Sequence, residues 1–276
     1  MSLRFERPAR PAMRYVLLAV LLGACTAGPS SAIEDRPGGN LHIQHVFAIG
    51  RPEANPVHAE VTEYSNIGQF SGYFHLNGGA GLEGGNGITR VVADDLTGAG
   101  LAAGQDVVQF AFTVANTSSN FVTCRARVRF WFENGSGVPA AFYNVPMLIG
   151  LTFNPLDFPP GVVLVTADLA PGLFTMPTGT FWAGITFDND NGTTGATLDD
   201  LNHMGQGLFS PPEVGTSTDI AFLTEQPGSY FGVAFPQGSR FDFGGAPPAN
   251  FGWTFTAVEA TPVARSTWGR IKHLYR

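Results

Sequence analysis

The chain has 276 residues, of which 13% are charged, with 35 Gly, 20 Pro and 23 Phe and a formal net charge of −7. Between positions 38 and 264 it carries 6 Arg and no Lys against 19 Asp and Glu, a net of −13. That body lacks the basic surface that phosphate neutralisation requires, so nucleic acid is excluded as a partner, and so turn-rich and aromatic-rich a composition leaves little helix-forming material.

The first element is a targeting one. Met13-Arg14 precedes an apolar run over 15–22, followed by Gly23-Ala24-Cys25. A positive start, a short apolar core and small residues after it make an export signal, here placed at residues 1–32. Two processing routes are open. Leu22-Gly23-Ala24-Cys25 has the form of a bacterial lipobox, which would put a lipid on Cys25; Ser30-Ser31-Ala32 offers small residues to a signal peptidase, which would release a chain starting near Ile33. Either route removes or modifies Cys25 and leaves Cys124 without a partner thiol. Cys124 lies in an alternating run, where a buried, unreactive thiol is expected.

From Ile43 to Trp253 the pattern is period-two alternation broken by Gly, Pro and Asn clusters. Gly79-Ala80-Gly81-Leu82-Glu83-Gly84 matches the dinucleotide-binding spacing, but β-like residues follow it where that chemistry requires a helix, so it reads as a Gly loop. Tyr64, Phe70, Tyr73, Phe74 and His75 form an aromatic cluster beside it, and Asp94-Asp95 is a conspicuous acidic pair. Val108, Phe110, Phe112 and Val114 are expected to face one way in a strand, and Cys124, Ala126, Val128, Phe130 and Phe132 in the next. Residues 116–120 between them have the length of a hairpin turn. Further strands are expected over 162–166, 179–187, 220–223, 229–234 and 251–257. Trp182 and Trp253 fall within apolar strands and read as core.

Arg125, Arg127 and Arg129 recur at every second position, about 6.6 Å apart on one strand face, and Trp131 continues the row. Guanidinium forks can grip carboxylate or sulfate groups and an indole can stack on a sugar, so the row is a candidate ligand stripe. The competing reading is that these arginines offset carboxylates on neighbouring strands. Asp188-Asn189-Asp190-Asn191-Gly192 followed by Asp199 clusters hard oxygen donors around a Gly turn. It offers Asp188, Asp190 and Asp199 as a candidate calcium site, without the glycine position or flanking helices of an EF-hand. Glu133 and Asp190 are a nonspecific carboxylate pair of the glycosidase type. No serine-nucleophile elbow, zinc helix or phosphate loop is present.

Residues 258–264 read as a linker and 265–276 as a basic amphipathic tail of net charge +4. Two expectations follow for it: a sorting or docking tag, or a helix packed on the acidic body.

Taken together, 88–96, Val128-Arg129-Phe130-Trp131 and 179–185 resemble exported β-sandwich proteins of environmental bacteria, many of which carry a PEP-CTERM sorting tail. The resemblance implies a surface or matrix protein without established chemistry. The chain has no Pro-Glu-Pro and no C-terminal apolar helix; its 268–276 segment is similar to short tails of other secreted bacterial proteins.

The expectation is therefore an all-β, antiparallel, jelly-roll-like sandwich over 33–257. It would be exported, non-enzymatic, and structural or adhesive at the cell surface or in the extracellular matrix. Its partners would be extracellular polysaccharide, other surface proteins or copies of itself. It would meet a membrane only through a lipid on Cys25 or a sorting step at the tail. The alternatives are a calcium-assisted carbohydrate-binding module and, third, a glycan-active hydrolase or lyase.

Overall fold

The computed structural model describes residues 33–35, 42–49, 59–133, 135–139, 149–170, 172–209, 211–227 and 238–258. Two sheets carry the chain. In order, the strands are β1 (Ile33–Asp35), β2 (His42–Ile49), β3 (Glu60–Ser65), β4 (Phe70–Leu76), β5 (Gly81–Glu83), β6 (Asn86–Ile88), β7 (Val92–Leu96), β8 (Val107–Asn116) and β9 (Val122–Phe132). They continue as β10 (Ile149–Thr152), β11 (Leu156–Phe158), β12 (Gly161–Leu169), β13 (Phe181–Asp188), β14 (Met204–Phe209), β15 (Ala221–Thr224), β16 (Gly238–Phe241) and β17 (Trp253–Val258).

The first sheet runs β1-β4-β14-β8-β12-β2, with β17 joining β8 to β3; the second runs β10-β9-β13-β7-β15-β16, with β11 on β9 and β5-β6 on β13. Aromatic side chains from both inner faces interlock between them. Phe110 of β8 meets Phe130 of β9 edge-on at 5.4 Å, and Phe181 of β13 meets Phe255 of β17 edge-on at 5.3 Å. All four rings are fully buried, each contributing about 1.5–3 kcal/mol of apolar transfer. The all-β, antiparallel sandwich expected from the alternation is the fold observed, with one exception: β12 pairs β2 in parallel.

Two local expectations are corrected. Residues 116–120 do not close a hairpin, because β8 and β9 belong to different sheets and the segment arches across the sandwich edge. Both strands are apolar on the face that closes the core, and pairing them side by side would not cover either. Asn116 secures the arch, its amide donating to Asn120 O at 2.8 Å and Phe158 O at 2.9 Å. On β8, Val107 replaces Val108 in the core. A register shift between Thr256 and Ala257 of β17 places Val107 opposite Ala257 and reverses the alternation there.

The Gly loop forms the β5–β6 hairpin, with Gly84 and Gly85 at φ 58° and 90° in the left-handed region that a two-residue turn requires. The one α-helix among the described residues, α1 (Leu198–Asn202), starts at a capping box between Thr197 and Asp200. No helix among the described residues is long and apolar enough to cross a membrane. The expected strand at 229–234, Cys25 with the rest of the signal segment, residues 259–264 of the linker and the 265–276 tail lie outside the described residues.

Candidate functional site

The outer face of the second sheet brings the sequence candidates together. Antiparallel register sets Arg125 opposite Asp188, Arg127 opposite Thr186, Arg129 opposite Gly184 and Trp131 opposite Trp182. The expected row is thus real, and it faces a complementary row on β13.

At one end the row is an ion-pair cluster. Asp188 is fully buried; its Oδ1 accepts from Arg125 Nη2 at 2.7 Å and from the Asp190 backbone N–H at 2.8 Å, and its Oδ2 accepts from Arg127 Nε. Asp190 Oδ1 lies 2.5 Å from Arg125 Nη1, and its Oδ2 accepts from Thr193 Oγ1 at 2.8 Å. All four carboxylate oxygens therefore have protein donors. Asp199, exposed in the first turn of α1, takes no part. A cation bound by Asp188 and Asp190 would have to displace the guanidinium groups. Among the described residues, no three His, Cys, Asp or Glu gather as metal ligands.

Arg129 donates to Val128 O at 3.0 Å and Leu151 O at 3.2 Å, and burial, with the Arg127 charge beside it, lowers its pKa to about 10. Trp131 is 1% exposed, lying over Gly184 in an apolar cluster with Val91, Ala93, Trp182 and Phe222. Arginines facing neighbouring carboxylates are what this half of the face contains. Glu133 and Asp190 are not a pair: they stand at opposite ends of β9.

At the other end the face opens into a cleft of about 310 Å³, lined by Asp95, Glu133, Gly135, Gly137, Thr180, Trp182, Thr218, Ile220 and Arg240. Register explains the convergence. Asp95, Trp182 and Trp131 are opposed in one row across β7, β13 and β9, and Glu133 follows Trp131 by two residues on the same side. Arg240 of β16 reaches this face in register with Phe222 of β15, which is opposite Ala93. Its guanidinium lies over the 135–137 turn, where a Cβ on Gly137 would come within 2.8 Å of Nη1.

The cleft supplies acceptors, donors and an apolar floor. Glu133 is oriented by the Gly137 backbone N–H, 2.5 Å from its Oε1. Asp95 accepts from the Thr218 backbone N–H at 3.0 Å and from Thr218 Oγ1 at 2.7 Å. Burial raises its pKa against the pull of those bonds. Thr180 Oγ1 shares a 2.8 Å hydrogen bond with Thr97 Oγ1. The Trp182 indole is 1% exposed and its Nε1–H has no hydrogen-bond partner, an uncommon state for a buried indole. Arg240 is exposed and forms no ion pair with a described residue. Neutral hydroxyl groups suit this mixture: each can donate to a carboxylate and accept from a guanidinium or threonine.

Sequence reasoning noted Asp95, Glu133 and Trp182 separately but not Arg240, Thr180 or Thr218. The available signal was Asp94-Asp95 inside an otherwise apolar strand. Of the aromatic cluster beside the Gly loop, Tyr64, Phe74 and His75 are buried, and Phe70 and Tyr73 are half-buried.

No family model and no curated protein matches the chain. Among solved structures it is similar to the cysteine protease and lectin-like domains of Cwp84, a surface layer associated protein of Clostridium difficile, at 11% identity and a TM-score of 0.37. The match covers 64% of this chain and 34% of that one, so this chain spans about a third of the matched structure.

Proposed function

We propose that this is an exported, non-catalytic protein of the cell surface or extracellular matrix. Its adhesive role is to hold a hydroxyl-rich ligand, a polysaccharide segment, in the cleft beside Trp182. The observation that supports this is the convergence of Asp95, Glu133, Arg240, Thr180 and Thr218 around an apolar floor in a cleft of about 310 Å³. That volume sits at the small end of ligand pockets and suits one or two sugar units of a chain. Export rests on the 13–32 segment.

A second reading, hydrolysis of a glycan, draws on the same pair of carboxylates, with Asp95 raised by burial in the manner of a general acid. A polysaccharide array probed with the purified protein, with calcium and again with chelator, tests both. Retention without cleavage supports adhesion, and release of reducing ends supports hydrolysis. Binding abolished by chelator would return calcium to the account, and no retention on any glycan would overturn the cleft reading.

A further inference from the structure

Behind the cleft, Asp94 occupies an unusual position for a carboxylate. It is fully buried between the sheets, and the groups facing it are Asp95 on its own strand, Ser217 before β15, the Phe251 backbone N–H before β17 and Tyr64 of β3. No cation stands among them. Glu213 adds further negative charge around Tyr64.

Proton counting locates the difficulty. Ser217 Oγ carries one hydrogen and has four acceptor oxygens within reach: Asn250 Oδ1 at 2.9 Å, Thr218 O at 3.0 Å, Asp94 Oδ1 at 3.2 Å and Asp95 Oδ1 at 3.4 Å; the Tyr64 hydroxyl, which brings its own proton, also faces it. The hydroxyl proton belongs to one of the two nearer oxygens. Asp94 Oδ1 then faces the hydroxyl lone pairs, a repulsive contact for a carboxylate and a good hydrogen bond for a carboxylic acid. The donors that do face the Asp94 carboxyl are backbone ones: the Phe251 N–H, 2.8 Å from Oδ2, and the Asp95 N–H. Asp95 has two donors from Thr218 and lines the cleft. Two adjacent carboxylates sharing Ser217 do not both ionise without mutual repulsion, and the pair divides the roles by environment.

We propose that Asp94 is a positioning residue that keeps its proton in the folded protein and donates it to Ser217. It thereby fixes the 217–218 segment, which carries Thr218 into the cleft wall, and leaves Asp95 as the pair's one negative charge toward the ligand. This rests on the cleft being the binding site. Burial, reinforced by the Asp95 charge, moves the Asp94 pKa in the same direction, well above the ordinary range.

The test is a carboxyl 13C NMR titration of the purified protein, with Asp94 assigned through its backbone, beside thermal denaturation of wild type, Asp94→Asn and Asp94→Ala. The folded pKa is raised, so the contribution of Asp94 is complete below the unfolded value of about 4 and is lost as pH rises through the folded value. The expected results are an Asp94 midpoint well above 4 and a wild-type Tm that declines through it. Asp94→Asn, which keeps a donor and cannot ionise, should flatten that decline, while Asp94→Ala should be less stable throughout. An Asp94 midpoint at or below about 4, or Asn as damaging as Ala, overturns the proposal. Should Asp94→Asn not fold, the wild-type titration alone decides.

Binding of a methyl glycoside panel, followed by tryptophan fluorescence, supplies the positioning readout. Wild-type affinity should weaken about tenfold across the Asp94 midpoint and Asp94→Asn affinity should not, since one pKa unit of coupling corresponds to tenfold. Wild-type binding that is independent of pH overturns the positioning role. No binding by wild type at any pH sinks the cleft reading and the positioning role with it, while the titration still decides where the proton lies.

Discussion

Arg125 and Asp188 are register partners on β9 and β13, and their ion pair at 2.7 Å gives the outer face of the second sheet its charged end. Because Arg127 also reaches Asp188, one buried carboxylate answers two guanidinium groups. Asp188→Asn would leave two half-buried cations facing a neutral amide. Removing one partner of a buried pair costs about 3–5 kcal/mol. The Arg125 and Arg127 side chains remain 19% and 17% exposed, so the expected loss is about 2–4 kcal/mol. Urea denaturation measures it, and the difference should persist in 0.5 M salt because a buried pair is poorly screened.

Gly184 is a packing requirement. A methyl there would come 2.6 Å from the Trp131 ring and 3.0 Å from Ala93 Cβ. Gly184→Ala should therefore destabilise by about 1–3 kcal/mol through overpacking and shift tryptophan fluorescence, whereas Gly179→Ala, at an exposed position with open space around it, should do neither.

His75 makes acid stability a readout of the interior. It stacks on Phe241 at 4.9 Å, neither ring nitrogen has a partner, and burial, with the Arg90 charge nearby, holds its pKa at about 3. A lowered pKa means that the neutral imidazole contributes fully above the unfolded value of about 6.5 and loses that contribution as pH falls toward 3. The loss is on the order of 5 kcal/mol. His75→Leu should remove this part of the pH dependence with little cost at pH 7, since it also deletes two unpaired polar atoms. Calorimetry between pH 3 and 7 compares the two.

Cys124 is fully buried, and burial followed by the charge of Asp188 raises its thiol pKa. The native protein should resist a disulfide reagent at pH 8 and react with one thiol at this position once unfolded. Rapid labelling of folded protein would show that β9 opens locally.

The alternation made the strands legible. Cys124 to Phe130 reads inward at every second residue, and Arg125 to Arg129 reads outward, as the structure has it. Pairing was less legible, because period two says which face is apolar but not which sheet receives the strand. The β8–β9 arch and the parallel β2–β12 pair both follow from that gap. The ion pairs fell within reach of sequence reasoning as a competing reading of the arginine row. The cleft did not, because Asp95, Glu133 and Arg240 are brought together only by register across β7, β13, β9 and β15–β16, and sequence separation carries no trace of it.

The cleft account predicts that Glu133→Gln and Arg240→Ala each weaken glycan binding at least about tenfold, the value of one charge-assisted hydrogen bond at 1.5–3 kcal/mol, while leaving the Tm near wild type. The most direct measurement is the affinity of wild type and these two variants for the polysaccharide retained best on the array, with Arg125→Ala as a remote comparison. Loss in the two cleft variants and retained affinity in Arg125→Ala is the predicted result. Equal affinity across all four proteins, or loss confined to Arg125→Ala, would contradict the assignment of the ligand to the Trp182 cleft.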